Sequence, residues 1–444
     1  MSRGYVDFSV GIESATGGGY RVRAFSPNAE AESLAQLDFD LDGLRESLSS
    51  RRSSALPDPW LRDLAWGAEA PPASLDLMDA GRTLFAALFT GEVGELYSAA
   101  WSAALDAGHG LRIRLHLRPR NPELAWLTKV PWEILFDDRA GCFPCLNPQN
   151  PLIRHLDLPR PVERAPFALP LRVLIVAANP AGLSALDLKG EQEAMGASGQ
   201  VQIKVLEDPG PEDLRRELQS GKHQIVHFMG HGLSDSARGS LVFSTPEGRP
   251  LLVTGSQLSH LVQGTPALGL ALLNACHSAS TPKGSGADPL AGVAGALVRG
   301  GLSAVVGMQL AISDRAALAF SKVLYAKLAE GDPIEAAVSE ARLALYLSDP
   351  DVSDWVAPVL FLRGHDHRIE EKEVGEKPSE RDVNHVVWES EELNSDHAEF
   401  VGKKISGDLQ GGSERPSENR VNVKVGTADV KRLIITGSVQ RKSR

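Results

Sequence analysis

Five strand-like runs recur between residues 171 and 308, with helical patterns between them. LRVLIVAA (171–178) is uninterrupted apolar sequence, the pattern of a strand buried on both faces. VQIKVL, QIVHFMG (224–230), LGLALLNAC (268–276) and LSAVVGM (302–308) follow it. Helical spacing recurs near Asp187–Met195, Pro211–Leu218, Ser256–Val262, Leu290–Val298, Asp314–Glu330 and Pro333–Leu347. Strands alternating with helices predict an α/β fold with a mostly parallel sheet covered on both faces. LVFSTPEGRPLLV (241–253) reads as an inserted hairpin, because PEG is a turn signal.

The upstream pattern differs. GYVDFSVGIE and GYRVRAF alternate apolar and polar residues and predict two strands around a Gly-rich turn. Leu34–Leu48 predicts a helix, and the segment from Leu77 to Gly108 predicts one or two more. LRIRLHL (111–117) alternates throughout and predicts a half-buried strand. The Pro-rich PRPVERAPFALP (159–170) marks a boundary. Between His365 and Phe400, 12 acidic residues face 4 basic ones with few aliphatics, which predicts a solvated linker. VNVKVG and LIITGSV near the end predict two short strands.

The formal charge of −11 argues against a nucleic-acid or anionic-membrane partner. No apolar run approaches the roughly 20 residues of a membrane span. The first residues carry no apolar signal-peptide core. Three cysteines, Cys142, Cys145 and Cys276, cannot build a disulfide framework and point to a reducing compartment. The expected location is the cytoplasm. Cys142 and Cys145 have the spacing of half a zinc site, with His155 the nearest histidine. No second cysteine pair follows, so no metal or other cofactor is expected.

In an open parallel sheet, reacting groups collect at the carboxyl ends of the strands. One run ends in His227-Phe-Met-Gly-His231-Gly232. Another ends in Asn274-Ala-Cys276-His277. If these strands are neighbours, an imidazole and a thiol meet at one rim. Imidazole would take the thiol proton and the thiolate would attack a carbonyl. Gly232 allows a backbone N–H to approach the developing oxyanion. With the N–H of Cys276 it would form an oxyanion hole, where each donor is worth about 3–4 kcal/mol. His231 follows its strand between two glycines and can reach over the edge. His227 lies within the strand and His277 projects elsewhere, so His231 is the expected base. Met308 and Gln309 end the fifth run and are candidate walls of a substrate groove, or ordinary strand-end packing.

VHFMGHG, LLNACHS, GADPLAGVAGALVRGGLSAVVGMQ and the helix beginning ISDRAALAF together resemble the CHAT family of caspase-like proteases. PWEILFDD and PLIRHL resemble the segments that precede its core, so the likeness covers roughly residues 110 to 363. It implies a caspase-like sheet and a histidine–cysteine dyad, with His231 and Cys276 at the matching positions. In metacaspase relatives the block reads D-x-C-H-S-G, and the acidic residue helps bind a basic P1 side chain. Asn274 stands there in this chain, which predicts a neutral P1 residue. Asp288 could restore an acidic pocket, or cap the helix at Leu290.

The expected organisation is an N-terminal α+β module (1–165), which could hold a degenerate half of the caspase-like sheet, and a protease domain (166–364). An acidic flexible linker (365–420) and a short β-strand tail (421–444) follow. The expected function is a gated cysteine endopeptidase acting on a protein substrate. The resemblance suggests bacterial defence or programmed cell death. An activating or regulatory protein would engage the C-terminal tail. The alternatives are a non-catalytic caspase-like scaffold and a glutamine-amidotransferase-like hydrolase. The second lacks its G-x-C-x-G elbow here.

Overall fold

The computed structural model describes residues 4–15, 18–37, 39–50, 77–118, 121, 123–156, 167–183, 190, 193, 195, 199–234, 238–275, 292–349 and 353–363, with short strands beyond. The first elements are β1 (Tyr5–Ser14), β2 (Tyr20–Ser26), β3 (Ala29–Ala35), α1 (Leu41–Ser50), α2 (Leu77–Leu88), α3 (Gly91–Asp106), β4 (Gly110–Leu117) and β5 (Leu152–Leu156). Next come β6 (Phe167–Ala168), β7 (Leu171–Ala177), β8 (Val201–Glu207), α4 (Pro211–Leu218), β9 (Ile225–Met229), β10 (Gly232–Ser234), β11 (Gly239–Ser244), β12 (Pro250–Thr254) and α5 (Gly255–Val262). Then follow β13 (Leu270–Asn274), α6 (Val293–Gly300), β14 (Ala304–Met308), α7 (Asp314–Ala329), α8 (Ile334–Ser348) and β15 (Pro358–Leu362).

Eleven strands form one sheet in the order β3-β2-β1-β4-β5-β15-β14-β13-β9-β7-β8. The five runs read from the sequence are the parallel set β14-β13-β9-β7-β8. β15 pairs antiparallel with β14 and parallel with β5, so it joins that set to the N-terminal strands. Residues 1–165 and 166–364 therefore share one sheet within one compact unit, Met1–Glu371. The expected hairpin is present and gains a third strand, giving the sheet β10-β11-β12.

Several expectations need correction. Residues 29–35 form an edge strand, so Leu34 and Ala35 close a strand rather than open the expected helix. Their backbone pairs with β2 from Ser26↔Ala29 to Tyr20↔Ala35, and the helix begins only at Leu41. β4 is buried at every residue except the partly exposed His116, rather than half-buried. Its polar residues Arg112 and Arg114 are 3% and 2% exposed. Both bond to Asp7 (2.6 and 3.0 Å), and Arg112 also reaches Glu335 on α8. Ion pairing replaces the water that the alternation implied. Burial opposes the Arg112 charge, and Glu335 and Asp7 more than offset it. β15 escaped the sequence reading. The helix expected at Asp187–Met195 lies mostly outside the described residues.

The second unit, Lys372–Arg444, holds two parallel pairs. β17 (His385–Ser390) pairs with β19 (Arg420–Val425), and β18 (Phe400–Val401) pairs with β20 (Ile435–Thr436). A two-residue strand, β16 (Ile369–Glu370), precedes them in the first unit and pairs with β6. β17 and β18 fall where the sequence predicted only linker. No described helix is long and apolar enough to cross a membrane.

Candidate active site

β9 and β13 are adjacent and parallel, with Leu270 opposite Ile225 and Asn274 opposite Met229. The Gly230 N–H donates to the Asn274 carbonyl at 3.2 Å. His231 stands two residues past Met229, and Cys276 two residues past Asn274. The two chains thus leave neighbouring strands at one level of one rim. Cys276, His277 and Asp288 themselves lie outside the described residues. The segment carrying them returns at Gly292, which packs on Gly239; a Cβ on Gly239 would stand 2.8 Å from the Gly292 Cα. Gly239 pairs with Ser234 in the strand that His231 introduces.

Gly230 is required by close packing. A Cβ there would come within 2.8 Å of the Phe228 ring and 3.1 Å of the Ala178 carbonyl. His231 is partly exposed, and its Nε2 is buried with no hydrogen-bond partner among the described residues. Its carbonyl accepts from the Val242 N–H at 2.9 Å. That bond makes Gly232↔Leu241 a pair that exchanges no hydrogen bonds. The Gly232 N–H therefore points away from β11.

His227 has a different environment. It is fully buried and stacks on Tyr325 of α7 (5.8 Å between centroids, 28° between planes). Burial pushes its pKa down from 6.5 to about 3, so it is neutral at pH 7. In the unfolded chain the same ring takes a proton near 6.5. Its contribution to stability is thus complete above that pH and is lost as pH falls toward about 3. Between pH 7 and pH 5 the loss should be about 2 kcal/mol. His227→Phe should flatten that part of the profile, read from urea midpoints at the two pH values. An unchanged slope would mean that the ring titrates normally.

The remaining candidates end the neighbouring strands. Leu273 lies opposite Gly307, so Asn274 and Met308 are level. Asn274 is partly exposed, while Met308 and Gln309 are 1% and 5% exposed. The Gln309 carboxamide is held inside by Arg154, Glu133 and the Val356 carbonyl. It faces the interior rather than a groove.

Sequence reasoning missed this buried cluster. Arg154 makes a two-point contact with Glu133, with Nε at 3.0 Å, and bonds to the carbonyls of Thr128 and Val130. Arg342 lies 3.9 Å from the same carboxylate. The available signal was a charge inside an apolar run, in PWEILF and PLIRHL, since a buried charge needs a partner. Cys145 belongs here too. Its Sγ donates to the Glu133 carbonyl (2.9 Å), and burial pushes its pKa up to about 12, which keeps the thiol protonated. Among the described residues no three side chains are grouped to hold a metal.

The CHAT domain model matches residues 90–363, more than half of the sequence. The chain belongs to the CHAT domain family. The CHAT match opens at α3 and closes just after β15, so it includes Glu133 and Arg154 as well as the parallel set. Among solved structures, the CHAT chain is similar to the Saccharomyces cerevisiae separase–securin complex at 13% identity and a TM-score of 0.44. That match covers 82% of this chain and 30% of the other, so this chain spans about 30% of the length of the relative. It is similar to the Arg-specific cysteine proteinase gingipain R at 13% identity and a TM-score of 0.40, covering 62% and 67% of the two chains. Caspase-1 from Spodoptera frugiperda matches at 10% identity and a TM-score of 0.31, covering 49% and 97%. No curated protein matches the chain.

Proposed function

We propose that this CHAT protein is a cysteine endopeptidase acting on a protein substrate. The observation that supports it most is the register of β9 and β13, which brings the His231 and Cys276 segments off adjacent strands at one level. The Cys276 thiol passes its proton to His231. The thiolate adds to the scissile carbonyl carbon, and the displaced π pair becomes an oxyanion held by the N–H groups of Gly232 and Cys276. Collapse expels the amine, which takes the proton from the imidazolium. Water, deprotonated by His231, then releases the acid from the thioester. Asn274, partly exposed beside this rim, favours a neutral P1 side chain because an amide cannot compensate a buried cation. Free thiol chemistry suits the cytoplasm, where such an enzyme needs gating by a protein partner or ligand. The family resemblance points that activity toward bacterial defence or programmed cell death.

The test is covalent labelling by a peptidyl acyloxymethyl ketone with leucine at P1. Labelling should vanish in Cys276→Ala and fall strongly in His231→Ala. Labelling that persists in Cys276→Ala removes the assignment. A probe-inert wild type with an exposed, alkylatable Cys276 favours the scaffold instead.

A further inference from the structure

The buried charges described above converge on the first residue after β14. Glu133, Arg154 and Arg342 are 1%, 1% and 0% exposed. The Gln309 Oε1 accepts from Arg154 at 3.0 Å. Its Nε2 donates to Glu133 and to the Val356 carbonyl, both at 2.8 Å. Its backbone N–H donates to the Ala357 carbonyl at 2.9 Å. A guanidinium on one side and a carboxylate on the other decide which way the amide points. A flipped amide would set donor against donor and acceptor against acceptor.

Four residues on, Ser313 forms a second anchor. Its hydroxyl donates to Asp354 at 2.8 Å and accepts from the Ala316 N–H at the start of α7. Between the anchors, Leu310, Ala311 and Ile312 are buried. The strap 309–313 is therefore tied at both ends to residues 354–357 and, at its first residue, to the pair supplied by residues 133 and 154. It leaves the sheet at Met308, level with Asn274, on the strand next to the one that leads to Cys276.

We propose that Gln309 is a positioning residue through which the Glu133–Arg154 pair holds the strap 309–313 as a fixed wall beside the end of β13, the strand that leads to Cys276. This rests on the peptidase reading. It goes further by making residues 125–154 part of the active apparatus. A wall that is already ordered needs no ordering when substrate binds, and a displacement of about 1 Å near a reacting centre costs on the order of 100-fold in rate. Gln309 itself touches no substrate in this account.

The test uses the full chain with Gln309→Leu and the milder Ser313→Ala. The readouts are amide hydrogen exchange at residues 310–312 and the labelling rates with the leucyl probe and with iodoacetamide. In Gln309→Leu, exchange should speed up and peptide-probe labelling should slow by at least about tenfold. Iodoacetamide, which needs no wall, should react within about twofold of wild type. Ser313→Ala should move the same readouts in the same direction by less, and it decides the matter if Gln309→Leu does not fold. Unchanged exchange, unchanged probe labelling, or equal slowing with both reagents overturns the proposal. If the wild type shows no Cys276-dependent labelling, the peptidase reading has failed by itself, and the exchange result still decides whether Gln309 holds the strap.

Discussion

Replacing Cys276 with alanine is expected to lower peptide-bond hydrolysis by at least about 10⁴-fold, measured by mass-spectrometric profiling of cleavage in a peptide library. The size follows from the chemistry. Without the sulfur no acyl-enzyme forms, and only binding and the oxyanion donors remain to assist water. A factor of 10⁴ corresponds to about 5.5 kcal/mol of transition-state stabilisation. His231→Ala should approach the same loss, and the double variant should be little worse than either single one, because the two groups act as a unit. His227→Phe should stay close to wild type at pH 7, since that ring is buried against Tyr325 and neutral. Equal damage from His227→Phe and His231→Ala would remove the assignment of the base.

Glu133→Ala is expected to destabilise the first unit by about 3–5 kcal/mol, read from urea midpoints. Glu133 is the carboxylate that Arg154 contacts, and it lies 3.9 Å from Arg342. Both arginines are essentially sealed from water. Truncating the acid leaves buried cations uncompensated and removes an acceptor from Gln309. Arg154→Met placed on Glu133→Ala should recover part of the loss, because the stranded charge goes with it, although the carbonyls of Thr128 and Val130 then lack their donor. Strict additivity of the two changes would show that the pair does not act as one. The exposed pair Arg215–Glu212 is the contrast; Glu212→Ala should leave the midpoint unchanged.

Legibility followed burial and sequence distance. The five parallel strands were readable because each is a short apolar run bounded by turn or helix signals, and burial on both faces demands that composition. That the strand ends leading to His231 and Cys276 lie side by side was readable only as a conditional, because adjacency of those strands is set by long-range packing. β15 was missed although PVLFL is a short apolar run like AVVGM; what no local pattern carries is its direction, antiparallel to β14 and parallel to β5. β4 showed its strand character but not its burial, because alternation signals a solvated face unless another element supplies counter-charges. Asp7 and Glu335 supply them here, from 105 and 223 residues away from Arg112.

The sequence by itself determined the element types of the parallel set and the two chemically distinctive strand ends. Those depend on local composition and period, which the chain carries residue by residue. Only the tertiary structure decided that the N-terminal strands continue the same sheet, that His227 is sealed away while His231 stands at the rim, and that Gln309 turns inward to Glu133 and Arg154. These outcomes depend on which distant segments share a desolvated interior, where an unpaired polar group is costly and each one must find its partner wherever the fold places it.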